Sequence, residues 1–316
     1  MIGNKEIMIL EGKTGFLKTR LEKVYRLLEV LKEISKHPFL SKVLALKGGT
    51  AINLFIFDCP RLSIDLDFNF IGASSKEEAD KARKEVSSSL ETIFRFFRYS
   101  AEPKSSEGID QWFAAYETLF GGTDRIKVEV NYLLRLPLQN TAFYPVRSPF
   151  PMNLKVRTLG FEEIFAAKCV ALFDRVTPRD LFDVYLLNND KVPQYDAGTL
   201  RKLFLFYASI SRTSIFDFKV KIIQELTEKE IKDRLWPLLS KEKRPTKTEM
   251  FKKAQPLLHK LLDLTSNEKK FFEDYYQGVP DFSLLFDNAK LVRICQEHPM
   301  TIWKQAHLTR EKNAAE

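Results

Sequence analysis

The chain has few of the residues that staple a fold covalently. Three cysteines, Cys59, Cys169 and Cys295, stand among 316 residues. They cannot all pair and none belongs to a CxxC, which excludes a disulfide scaffold and points to reduced thiols in a cytoplasmic setting. Four widely spaced histidines and these cysteines make no structural zinc site. No apolar run approaches the ~18 residues that a membrane span needs, so no membrane partner is expected. The opening MIGNKEIMILEGK brings acids at once and no apolar core, so no secretory signal is expected. No internal repeat and no low-complexity tract is visible. Nor is basic charge scarce: 50 Lys and Arg against 42 Asp and Glu leave +8, which excludes a disordered polyanion.

What is present suits a soluble globular protein. The chain is 44% hydrophobic and 29% charged, and its 316 residues suffice for about two domains with cores of their own. Before about residue 150, helix-like and strand-like periods are mixed; after about 160 nearly every window reads helical. The pattern predicts an α/β or α+β domain followed by a helical one. An amphipathic helix is predicted over 16–35, with Leu17, Leu21, Val24, Leu27, Leu28 and Leu31 on one stripe. A short buried strand over 43–46 runs into Lys47-Gly48-Gly49-Thr50 and a short helix over 51–57. A strand is predicted over 63–71, a Ser75-capped helix over 76–97 and a hairpin over 109–134 turning at 121–124. A proline-punctuated loop with Pro137, Pro145, Pro149 and Pro151 follows. Helices are predicted over 161–174, from Pro178, and over 198–211, 218–227, 249–264 and 284–297.

The densest chemical signal is Ser63-Ile64-Asp65-Leu66-Asp67. Carboxylates two apart on a strand share a face and repel. A divalent cation removes that penalty, and Mg²⁺ takes a few carboxylate oxygens plus substrate phosphates. Upstream, Lys47, Gly48, Gly49 and Thr50 form a strand-to-helix turn whose glycines let backbone N–H groups approach an anion. There Thr50 can cap the helix and offer a hydroxyl to phosphate. Together these describe a nucleoside-triphosphate site with Ser63 beside it, two residues before Asp65 and a candidate phosphorylation switch. In Lys127-Val128-Glu129-Val130-Asn131, Glu129 joins the acids if this strand lies beside the first. Three carboxylates on a metal suit in-line displacement at phosphorus. Lys168 is one charge in an apolar helical stretch, either snorkelling outward or binding phosphate. Asp180 and Asp183 follow at helical i, i+3 spacing. Within 241–253 six bases stand against two acids, a solvated loop or a phosphate-backbone contact.

Taken in order, KGGTA, RLSIDLD, KVEVN and KCVALFDR with PRDLFD resemble the successive motifs of the AbiEii/AbiGii toxin family. Leu284-Leu285-Phe286 and His298-Pro299 with Trp303-Lys304 resemble its C-terminal end, so the resemblance covers roughly 43–308. These are nucleotidyltransferases of the DNA polymerase β-like superfamily, the toxin half of type IV toxin–antitoxin or abortive-infection systems. The resemblance implies an α+β fold: a nucleotidyltransferase-like mixed sheet with flanking helices over 1–155 and a mainly helical domain over 156–316. It implies Mg²⁺-dependent transfer of a nucleotide from an NTP to RNA, tRNA foremost, and a cognate antitoxin protein as partner. Carried over, the family's active site falls on Gly48, Gly49, Asp65, Asp67, Lys168 and either Asp180 or Asp183. The superfamily's usual Gly-Ser turn is here Gly49-Thr50, which keeps the hydroxyl.

Two other classes fit the same residues. A kinase-like phosphotransferase needs the same metal and phosphate groups. A non-catalytic nucleic-acid or partner-binding module is a third reading, weakened by the presence of both Asp65 and Asp67.

Overall fold

A computed structural model describes residues 2–188 and 192–315. The chain divides into two compact units. The first comprises Met1–Arg135, Asn140–Gly160 and Lys229–Pro245; the second comprises Leu136–Gln139, Phe161–Glu228 and Thr246–Glu316.

The first unit holds a seven-stranded mixed sheet. Its strands are β1 (Leu44–Lys47), β2 (Asp65–Phe70), β3 (Ser100–Ser105), β4 (Ile109–Glu117), β5 (Thr123–Asn131), β6 (Ala142–Pro145) and β7 (Lys155–Thr158). They lie in the order β3-β4-β5-β2-β1-β7-β6, with β2 parallel to β5 and β1 parallel to β7. Period-two alternation splits the sheet chemically. Leu66, Phe68 and Phe70 of β2, Ile126, Val128 and Val130 of β5, and Trp112 of β4 are all buried on one face. The other face carries Asp65, Asp67, Lys127, Glu129 and Gln111. Helix Lys18–Lys36 packs on the sheet and on helix Lys76–Phe96. Its stripe Leu21, Val24, Leu27, Leu28 and Leu31 is fully buried, each leucine contributing about 1.5–3 kcal/mol. Ser75 caps helix Lys76–Phe96 by accepting the Glu78 N–H, as its spacing predicts.

The second unit is helical, with helices Phe161–Arg175, Pro178–Tyr185, Ala197–Ser209, Lys247–Leu262, Ser266–Tyr276, Ala289–Glu297 and Pro299–Ala315 among its elements. Phe165, Phe204, Phe206, Phe271, Phe272 and Phe282 are fully buried there. Buried Glu163 accepts N–H groups from Leu138 and Gln139 and the Tyr207 hydroxyl, which ties segment Leu136–Gln139 to this unit.

The mixed α+β architecture is as expected, and several elements differ from the periodic reading. The proline-punctuated stretch contains β6 and β7. Strand β3 was not signalled because it is an exposed edge whose polar residues and Pro103 hide any alternation. The strand predicted from 63 begins at Asp65, because Ser63 turns into the protein ahead of it. The helix predicted over 51–57 begins at Gly48 and continues as a π turn, Ile52–Ile56. The helix predicted over 218–227 is a 3₁₀ turn, Ile215–Asp217, and a short helix, Val220–Ile223. The one predicted over 284–297 is split: Asp281 caps turn Phe282–Leu284, and Asn288 starts helix Ala289–Glu297 afresh.

Candidate active site

Central strands β1, β2 and β5 bring the first cluster together. Register places Lys47 opposite Asp67 on one side and Glu129 opposite Asp67 on the other, with Lys127 opposite Asp65. The two aspartates therefore share a face with a third carboxylate and with Lys127, which the alternation puts on the same face as Glu129. Its Nζ lies 2.7 Å from Glu129 Oε2, and Gln111 Nε2 donates to the same oxygen at 2.8 Å.

These neighbours set the electrostatics. Loss of solvent pushes the Asp67 carboxyl up, Glu129 and Asp65 add to the shift, and Lys47 and Lys127 oppose it. Burial alone would raise Glu129; the Lys127 ammonium, then Lys47 and Gln111, outweigh it and hold that carboxyl below the usual range. Among the described residues no three His, Cys, Asp or Glu side chains are gathered as metal donors. The donors that fit a hard divalent cation are Asp65 and Asp67, two crowded carboxylates to be completed by substrate oxygens.

The glycine turn closes against this pair. Gly48 has φ +68°, and a Cβ there would stand 2.9 Å from Asp67 Oδ2, so both backbone and space require glycine. Asn53 Nδ2 donates to the Gly49 carbonyl at 2.9 Å. Thr50 corrects its sequence reading. The cap position is Lys47, without a side-chain cap bond, and Thr50 lies within the first turn. Its hydroxyl donates to the Asp65 carbonyl and lies 2.9 Å from Ser63 Oγ, so it links turn to strand. Ser63 is buried in that link, which leaves a modifying enzyme no access to it in this fold.

The second unit holds a cluster of its own. Pro178 starts helix Pro178–Tyr185, and Thr177 caps it by accepting the Asp180 N–H. Asp180 and Asp183, one turn apart, both face Lys168, at 2.9 and 3.3 Å. Lys168 is 8% exposed and does not snorkel. Arg175 Nε and the Thr177 hydroxyl donate to Asp180 Oδ2 at 2.8 and 2.6 Å. Burial would raise Asp180; Lys168 and Arg175, with the Thr177 hydroxyl, outweigh it and hold this carboxyl far below the usual range. Sequence left the choice between the two aspartates open, and the fold gives both to the same lysine.

The basic run is less uniform than its composition. Lys241 and Lys243 are exposed. Arg244 lies over the Trp236 ring at 5.2 Å, Lys253 over Tyr185 at 5.3 Å, and Lys247 donates to the Gln224 carbonyl. Sequence reasoning singled out neither Arg61 nor Asn53. Asn53 sits at helical i+4 from Gly49, a readable spacing; the burial of Arg61 has no local signature.

The model of the family described as nucleotidyl transferase AbiEii toxin, type IV toxin–antitoxin system, matches residues 29–288. No curated protein matches the sequence significantly. Among solved structures, MenT4, a nucleotidyltransferase toxin from Mycobacterium tuberculosis H37Rv, is similar with a TM-score of 0.65. The two are 15% identical over 96% of this chain and 99% of that one. A cyclic dinucleotide synthase, CdnE from Elizabethkingia meningoseptica, aligns at 12% identity over 83% of this chain and 99% of that one. Its TM-score of 0.27 is too low to bear on the fold. No helix among the described residues is long and apolar enough to cross a membrane. The chain belongs to the AbiEii nucleotidyltransferase toxin family, the toxin component of type IV toxin–antitoxin systems.

Proposed function

We propose that this nucleotidyltransferase moves a nucleoside monophosphate from an NTP to an RNA acceptor, tRNA foremost, in the cytoplasm, and that a cognate antitoxin protein restrains it. The observation that carries this reading is the packing of Gly48 against Asp67, which sets a glycine turn beside two crowded carboxylates on one strand face. Asp65 and Asp67 would hold Mg²⁺, which supplies neutralisation of charge at the transferring phosphorus. Backbone N–H groups of Gly48 and Gly49 and the Lys47 ammonium would hold the triphosphate. Thr50 and Ser63 keep the turn at a fixed distance from Asp65. Of the roles open to Glu129, its tie to Lys127 and lowered pKa favour a fixed charge over acceptance of the acceptor's proton. Positioning and electrostatics then supply most of the rate.

The test is incubation of purified protein with Mg²⁺, each NTP in turn and a tRNA pool, followed by mass spectrometry of the RNA. Addition of a nucleoside monophosphate is expected, and loss of that product with Asp65→Asn. A phosphate added instead would make the enzyme a kinase. Transfer that survives both Asp65→Asn and Asp67→Asn would overturn the assignment of the site.

A further inference from the structure

We propose that Arg61 is the positioning residue of the glycine turn: its guanidinium, seated against Gly49, fixes the turn where a triphosphate can lie beside Asp65 and Asp67. The proposal rests on the reading of that turn as the triphosphate site. Arg61 is 2% exposed, and its Nη1 donates to the Leu62 carbonyl at 3.0 Å. The Leu62 N–H is in turn anchored on the Leu238 carbonyl at 2.8 Å, so this segment is held from behind. A Cβ on Gly49 would stand 2.5 Å from Arg61 Nη2 and 3.1 Å from Ser63 Oγ. Unlike Gly48, Gly49 has no left-handed backbone that calls for glycine. Its lack of a side chain answers to the space the guanidinium occupies. One side of the turn is thus set by Arg61 and Ser63, while Asn53 holds its carbonyl. A flat guanidinium is a rigid spacer where a lysine is a flexible stem, so Arg61→Lys is not conservative here.

This gives a pairwise test. Arg61→Lys and Gly49→Ala should each weaken Mg²⁺-NTP binding, read by calorimetry without turnover, on the order of tenfold or more, since losing even one hydrogen bond to a charged triphosphate costs about that. KM for NTP should rise with them, and KM for the tRNA pool should not. The double variant should bind NTP no worse than Gly49→Ala alone, because the slimmer lysine vacates the space the new Cβ needs. Gly48→Ala should gain nothing from Arg61→Lys, since its Cβ meets Asp67 instead. Melting temperatures check folding, and if Arg61→Lys does not fold, Gly49→Ala alone decides. Wild-type NTP affinity in Arg61→Lys or Gly49→Ala, or additive losses in the double variant, would overturn the positioning role while leaving the active-site reading intact. Failure of the wild-type protein to bind any NTP would overturn both.

Discussion

Two pairs of aspartates, one in each unit, sit in contrasting electrostatic surroundings. Asp65 and Asp67 lie two apart on a strand; Asp180 and Asp183 lie three apart on a helix. In the first cluster three carboxylates, with Glu129, meet two ammonium groups, Lys47 and Lys127. In the second, two carboxylates meet Lys168 and Arg175. Glu129 and Asp65 crowd Asp67 in the first, whereas Lys168 and Arg175 converge on Asp180 in the second. Burial, with Glu129 and Asp65 adding to it, pushes Asp67 up; at Asp180 Lys168 and Arg175 outweigh burial and pull it down. A motif of two acids therefore says little by itself; burial and the cations around it set the charge it carries.

The largest expected difference is in function. Asp65→Ala or Asp67→Ala should lower nucleotide transfer on the order of a thousandfold or more, as removal of transition-state electrostatics does. Expression in bacteria should no longer arrest growth, and the melting temperature should not fall, because a repelling acid has been removed. A drop of several degrees would mean that the first cluster stabilises the fold.

Next comes stability at the second cluster. Lys168→Met removes the ammonium that faces both buried carboxylates and should cost about 3–5 kcal/mol, read by denaturant unfolding. Lys168→Arg should recover part of that loss, since the charge returns on a larger, planar group. A melting temperature unchanged in Lys168→Met would remove the contrast between the clusters.

The pH dependence of metal-free protein sharpens the comparison further. Asp180, with a folded pKa below its ordinary 3.8, contributes stability that is present above that value and lost as pH falls through the folded pKa. Asp67, with a folded pKa above 3.8, favours the folded state when protonated and loses that contribution as pH rises from the ordinary value through the raised one. Asp180→Asn should therefore destabilise at neutral pH and matter less in strong acid. Asp67→Asn should stabilise at neutral pH and matter less below about pH 4. Thermal melts across pH 3–8 would show slopes of opposite sign; slopes of the same sign would refute the electrostatic account.

Much of this contrast was legible in the sequence, though not its sign. Alternation in Lys127-Val128-Glu129-Val130-Asn131 placed Glu129 on a polar face, and only strand pairing could set it beside Asp67. Period-two spacing placed Asp65 and Asp67 together, yet the Lys47 and Lys127 that temper them come from two other strands. Helical spacing put Asp180 and Asp183 within reach of one another, while the burial of Lys168 between them needed the fold. Thr50 was misread because a hydroxyl in a first turn serves a cap or a neighbouring strand equally well by sequence. Strand β3 was missed because it is an exposed edge bearing Pro103, and β6 and β7 because four residues are too few for their alternation to stand out.

The smallest effect is expected where basic charge lies in the open. Lys241 and Lys243 are exposed, whereas Arg244 and Lys247 from the same run are engaged with Trp236 and the Gln224 carbonyl. Composition treats these four alike; structure does not. If Lys241 and Lys243 meet RNA phosphates, each releases bound counterions, and log affinity falls against log salt with a slope of about 0.7 per contact on single strands. Replacing both with Gln should then lower that slope by about 1.4 and weaken tRNA binding only a few-fold near physiological salt. NTP affinity and the melting temperature should not move, since exposed side chains away from the core contribute little to stability. Replacing Arg244 and Lys247 instead should lower the melting temperature and leave the salt slope nearly unchanged. The reverse outcome, with the slope following Arg244 and Lys247, would show that burial of a partner does not decide which bases reach the nucleic acid.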